Sequence, residues 1–227
     1  MEWPDLGQPK PRDTIRPHKP IKWPCGPTLL LSRSPPACNT SAASLLRSRR
    51  TARHFGEVLP ADLSGWFDLS CRVQQRQSSG LGFDLTRRPA PSAGAIHPIH
   101  VVLTWPQASD WHRYDPFDHA LRSFHGKADP REAHASLQQV LAAPDAALVL
   151  LAAEAGRTQA KYEHAASLVW RDAGALLATM ALAAHALSLA FCPLGVTGEP
   201  WAGRLLDEED GLVGVGAAFV GRPGRSG

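Results

Sequence analysis

Lys161 and Tyr162 stand side by side, and together they could move a proton. An amine whose pKa is lowered by desolvation acts as a base, and a phenol hydroxyl can orient a ring or relay the proton. The plain alternative is a surface lysine beside a half-buried tyrosine, the commoner fate of such a pair. A second group, Arg49, Thr51 and Arg53, is spaced by two. Guanidinium groups grip phosphate through paired, charge-assisted hydrogen bonds, and a hydroxyl can join them; otherwise the run is a basic helix end in solvent. A third group is Arg88-Pro89-Ala90-Pro91-Ser92-Ala93-Gly94-Ala95. Small residues let backbone approach a planar ligand closely, although a Pro/Gly turn before a strand explains the same residues.

These groups need elements to hold them. Thr40 or Ser41 caps a helix through Leu45, Leu46 and Arg49. Pro60-Ala61-Asp62 opens another, with Leu63, Trp66, Phe67 and Ser70 on one face. The polar run 74–82 reads as a loop. The β-branched run 99–104 is a strand, and 111–121 is a hairpin turning at Tyr114-Asp115-Pro116, where Asp115 caps the turn. Residues 129–143 have helical spacing, with Leu137, Val140 and Leu141 inward. Residues 146–152 form a buried strand, 160–189 one long helix opened by Lys161-Tyr162, and 212–220 a last strand. Val169, Ala173, Leu176, Leu177, Met180, Ala184 and Leu187 mark the buried side of the long helix. The expected fold class is α+β: a mixed sheet flanked by helices, with a long central helix.

Residues 1–40 differ from the rest. Nine of the 20 prolines fall there, with Trp3 and Trp23 between them. This reads as an extended arm, either wrapping a partner surface or mobile, ahead of a folded domain over 41–227. With 24 basic and 21 acidic residues there is no nucleic-acid footprint. Cys25, Cys38, Cys71 and Cys192 form no CxxC pair, so reduced thiols in a cytoplasm are expected. No signal peptide and no membrane span is visible: the most apolar stretch, 173–189, is broken by Thr179, His185 and Ser188. His97 and His100 on a strand would point opposite ways, and no metal site is expected. Gly214-Val215-Gly216 lacks a third Rossmann glycine and a following helix.

In this order and spacing, the Arg49-Thr51-Arg53 run, the Pro91-Ser92-Ala93-Gly94 loop, Tyr114-Asp115-Pro116 with His119 and Leu121, and Lys161-Tyr162 resemble the nitroreductase superfamily. The nearest likeness is to the branch that oxidises azoline rings of peptides to thiazoles and oxazoles. The resemblance spans about 41–222. It implies a homodimer with FMN at the interface. Arg49, Thr51 and Arg53 would hold the phosphate, and Pro91, Ser92, Ala93 and Gly94 would lie against the flavin ring, not necessarily from the same subunit. Gly195, in the turn Cys192 to Gly198, would offer its backbone N–H to the flavin, and Lys161 and Tyr162 would be the catalytic pair. The implied reaction removes a ring proton and passes a hydride to flavin N5, with O2 regenerating the cofactor. A ribosomally made peptide is the implied substrate and a cyclodehydratase complex the implied partner. Two other readings stay open: an NAD(P)H-dependent nitro- or flavin reductase, and a flavin-fold scaffold in a peptide-modifying complex.

Overall fold

The computed structural model describes residues 6–24, 26–34, 38, 40–207 and 211–224. Trp3 and Cys25 therefore lie outside the described residues. The architecture is an eight-stranded sheet of order β11-β12-β9-β6-β7-β8-β2, with β3 (Phe55–Gly56) also pairing to β12. Its members are β2 (Thr28–Leu30), β6 (Ile99–Thr104), β7 (Trp111–Asp115), β8 (Ala120–Phe124), β9 (Ala147–Glu154), β11 (Ala190–Pro193) and β12 (Leu212–Pro223). Every pairing described in it is antiparallel rather than mixed. Hairpin-linked β7 and β8 run antiparallel because a short turn can join strands in no other way.

The central strand, β9, is buried along its whole length. Ala147, Val149, Leu151 and Ala153 enter one core, and Leu148, Leu150 and Ala152 enter the other. Its near-continuous apolar run follows from having both faces covered. The first face is covered by α2 (Ser64–Ser70) and the long helix α5 (Ala166–Ala186), joined where Trp66 Nε1 donates to the Met180 carbonyl at 2.9 Å. Across the sheet, α3 (Pro130–Gln138) packs Ala133 and Leu137 into the second core. Among the described residues no helix is long and apolar enough to cross a membrane.

Several local expectations are met. Ser41 caps α1 (Ala42–Ser48), accepting from Ser44 N, and Asp115 Oδ1 accepts from the backbone N–H of Phe117 and Asp118 in the hairpin turn. Leu63, Trp66, Phe67 and Ser70 are all buried. Others are corrected. The 74–82 run is not all loop, because β4 (Gln75–Gln77) pairs with β5 (Leu85–Arg87). Since α3 stops at Gln138, Val140 lies beyond the helical face and is exposed. The stretch 160–189 is not one helix. A short α4 (Ala155–Lys161) ends at Lys161, Tyr162–Glu163 form strand β10, and α5 starts at Ala166. The break comes from the N-terminal arm, whose β1 (Lys10–Pro11) pairs with Glu163 and Tyr162 and pulls them into extended backbone.

That arm lies along the body of its own chain. His18 Nε2 is 2.7 Å from Glu154 Oε1, and Ile21 N donates to the same oxygen at 2.9 Å. A Cβ at Gly82 or Gly156 would collide with His18, so these glycines form the notches that admit it. Trp23 packs edge-on against His100 and Phe124, with Arg113 over its ring. These contacts cover part of the aromatic surface of Trp23 within its own chain.

Candidate functional site

The loop after β5 is shaped by one carboxylate. Asp172, buried on α5, accepts from Ser92 Oγ at 2.5 Å and from Ala93 N at 3.0 Å. Burial raises the Asp172 pKa against the pull of those two bonds. Ser92 Oγ in turn accepts from His97 N at 2.9 Å. The chain then makes a single 3₁₀ turn, Ala93–Ala95, in which Gly94 has φ +64°. A Cβ at Gly94 would lie 2.8 Å from Tyr162 Oη and 3.0 Å from Lys161 Nζ. Both side-chain ends therefore rest on the bare backbone of Gly94, and Lys161 Nζ sits 5.6 Å from the centre of the Tyr162 ring. The fold thus brings together Pro91–Gly94 and Lys161–Tyr162, two motifs far apart in sequence.

The cationic run lies elsewhere. Arg49 caps the C-terminus of α1, and its guanidinium donates to Thr51 Oγ1 at 3.4 Å. Arg49, Arg50 and Thr51 border an open groove of about 320 Å³ floored by Leu177, Ala178 and Ala181 of α5. Arg50, Thr51 and Arg53 border an adjoining one of about 560 Å³. Among the described residues no carboxylate stands within ion-pair distance of Arg49, Arg50 or Arg53. Guanidinium groups with no acidic partner among the described residues, beside an apolar shelf, suit a ligand with a phosphate at one end and a flat ring at the other. From Asp172 beside the loop to His185 beside the arginines, α5 runs roughly 20 Å at 1.5 Å per residue. Within one chain, the arginines and the loop do not share a pocket. Gly195 borders neither groove, and a Cβ there would meet nothing within 4 Å in this chain.

Behind the loop, β6 and β7 pair only at Val102–Arg113 and Leu103–His112. Past those pairs the strands diverge, and a cavity of about 320 Å³ opens between them. Pro91 and Ser92 border it, as do Arg88, His97 and His100. Both histidines line this one cavity, contrary to the strand-alternation expectation, because His97 precedes β6 and has φ +50°. Among the described residues no group of His, Cys, Asp and Glu is placed to hold a metal ion. Cys71, at the cavity wall, is a free thiol pushed up to about 11 by burial, and Cys192 is also buried and free, while Cys38 is exposed.

Sequence reasoning assigned no role to Asp172, Arg88 or Glu154. Asp172 had a signal: it is the one acidic residue of a mostly apolar helix. Glu154 closes β9 and is nearly inaccessible, with His100 Nε2 2.9 Å away and Arg157 Nε donating at 2.7 Å. Burial alone would raise its pKa, but the bond to His100 and the charge of Arg157 outweigh it and hold the carboxyl well below the usual range.

An α+β body with a long helix under an antiparallel sheet, a cationic groove and a small-residue loop defines the class. The chain belongs to the nitroreductase family, whose model matches residues 46–207, more than half of it. Among solved structures it is similar to a proposed nitroreductase from Ralstonia eutropha JMP134 (21% identity, 97% of this chain and 100% of that one, TM-score 0.68). It is also similar to a chain of the Escherichia coli microcin synthetase McbBCD complex with truncated pro-MccB17 bound (15% identity, 85% and 77% covered, TM-score 0.52). A third is a proposed nitroreductase from Desulfovibrio desulfuricans in complex with FMN (20% identity, 83% and 91% covered, TM-score 0.50). No curated protein matches the chain in sequence.

Proposed function

We propose that this chain is an FMN-dependent oxidoreductase that oxidises azoline rings of a ribosomally made peptide to thiazoles or oxazoles. One observation carries the reading. Lys161 Nζ and Tyr162 Oη converge on Gly94, where a side chain on the loop would displace them. Family membership and the FMN-bound neighbour support the cofactor, and the likeness to a chain of a complex holding truncated pro-MccB17 is in keeping with a peptide substrate.

FMN fits the donor set. Arg49, Thr51 and Arg53 would hold its phosphate, with the apolar groove beside them for the ring system. Pro91 to Gly94 would lie against the ring from the other side, and Gly195 would offer a backbone N–H. Because loop and arginines do not share a pocket within one chain, the complete site takes its two halves from the two subunits of a homodimer. The exposed strip of α5, Trp170, Gly174 and Ala178, is the surface such a partner would cover. In this arrangement 41–227 is the flavin-binding domain and 1–40 its arm, working in the cytoplasm.

When bound, FMN supplies the two-electron acceptor, and O2 returns it to the oxidised state. The residues of the chain do the rest. Lys161 Nζ takes the proton from the ring carbon, Tyr162 Oη orients the ring or relays that proton, and Gly94 keeps both heads at the loop surface. The test is mass spectrometry of a peptide carrying pre-formed azolines, scored for loss of two hydrogens per ring. Lys161→Ala is expected to stay yellow and folded while turnover falls about 10²–10⁴-fold. Wild-type turnover in that variant would make the pair structural. Rapid bleaching of the bound flavin by NADPH, with no azoline oxidation, would instead favour the nitro- or flavin-reductase reading. A colourless protein that takes up no FMN would leave the scaffold reading.

A further inference from the structure

We propose that the cavity between β6 and β7 is a binding site for a small organic carboxylate, gripped by the guanidinium of Arg88. The cavity shares Pro91 and Ser92 with the loop assigned to the flavin, but neither Lys161, Tyr162 nor the arginines of the groove border it. Its volume, about 320 Å³, lies at the lower end of small-molecule pockets. Its existence follows from the fold. Two neighbouring strands of a sheet that separate after two residue pairs must either fill the gap with side chains or leave room. Here the gap is roofed by Ile21 and Trp23 of the arm.

The charge pattern selects the ligand. Arg88 borders the cavity and donates through Nε to Thr86 Oγ1 at 3.0 Å, a neutral acceptor. Among the described residues no carboxylate pairs with it, and no acceptor is placed for its terminal amino groups. Burial lowers its pKa to about 10, so it remains cationic at neutral pH. Asp115 attracts it through space without bonding to it, and a planar fork of N–H donors left unbonded and partly drawn out of water is matched by a carboxylate.

The other charged groups of the wall are engaged. Arg157 donates to Glu154, and Asp115 accepts from Arg122 and lies 3.7 Å from Arg113. Asp172 accepts from Ser92 and Ala93. Burial, helped by the charge of Arg88, lowers His97 to about 3, so that imidazole is neutral and supplies no competing charge. The remaining lining includes Trp23, Ile99, Leu176 and Phe117, apolar surface for the body of a flat organic acid.

Benzoate is the probe, with benzyl alcohol as its neutral counterpart and inorganic phosphate as the inorganic anion. The full-length protein is titrated with each, following melting temperature. Benzoate is expected to raise the melting temperature saturably, and benzyl alcohol to leave it unchanged. Arg88→Met should abolish the gain, and Arg88→Lys, which keeps the charge but loses the fork, should weaken binding about tenfold or more. The lysine variant carries the test if the methionine variant does not fold. No saturable gain up to about 10 mM benzoate, a weak affinity by any measure, overturns the proposal. So does an equal gain with benzyl alcohol, or a benzoate gain that survives in both variants. A gain from phosphate but not benzoate, lost on changing Arg88, overturns the carboxylate assignment.

Discussion

Two arginine-bearing regions of this protein obey opposite physics. At the groove, Arg50 and Arg53 are exposed and Arg49 half-buried, on irregular backbone after a short helix, with no acid in ion-pair range among the described residues. At the cavity, Arg88, Arg113 and Arg157 are half-buried in the fold, and Arg157 is held by a buried carboxylate. Exposed guanidinium groups keep their water and sit ready for a charged ligand at little cost. Half-buried ones have given up part of that water, so a partner in the protein or in a ligand counts for more. In the proposed arrangement the groove is half of a site that a second surface completes. The cavity is lined by residues of one chain.

The largest expected effect tests whether the groove is closed by a second subunit. Ala178 is exposed on α5 and borders the groove, so Ala178→Arg would force a charge into the proposed interface. Light scattering should give about twice 24.5 kDa for the native protein and one chain mass for the variant, with FMN lost alongside the dimer. A native monomer that retains FMN would break the two-subunit account of the groove.

Next comes the groove chemistry. Removing one phosphate partner should cost about 2–5 kcal/mol. Arg53→Ala should accordingly purify nearly colourless, measured as flavin absorbance per protein. Full flavin retention would show that these arginines are only a solvated basic surface.

The smallest effect belongs to the cavity and is read against pH. The folded-state pKa of His97 is depressed to about 3 by burial and the neighbouring Arg88. The unfolded chain therefore binds this proton more readily than the folded one. The contribution of His97 to stability is complete above its unfolded value of about 6.5 and is lost as pH falls towards 3. Between pH 7 and 4.5, urea unfolding should register a loss on the order of 2 kcal/mol from this residue, absent in His97→Gln. Equal acid sensitivity in both proteins would mean that the imidazole is not held neutral, and that the cavity is wetter than its geometry implies.

Legibility differed between these regions. The Arg49-Thr51-Arg53 run was visible because alternation on one local stretch of chain is itself the pattern. Strand β6 was read from its β-branched residues, β9 from its apolar run, and the Asp115 turn and Ser41 cap from side chains bonding their own neighbouring backbone. The cavity was not visible. His97 and His100 looked divergent on an ideal strand, and nothing in the residue types shows that β6 and β7 separate after Leu103–His112 and Val102–Arg113. Arg88 looked like the start of a turn, and its lack of a bonded carboxylate among the described residues is a property of the packed protein alone.

The sequence by itself determined what interacts at short range: caps, turns, the alternation of buried positions and the order of the motifs. Tertiary structure decided what depends on residues far apart meeting. Lys161-Tyr162 does not open the long helix, because Lys10–Pro11, some 150 positions earlier, pairs with Tyr162–Glu163. Gly94 gains its meaning only where Lys161 and Tyr162 press against it. Local preferences are set by the conformational freedom of a few bonds and can be read from neighbouring residues. Contacts across the chain are set by burial and hydrogen-bond satisfaction summed over the whole fold, and no short stretch of sequence contains that sum.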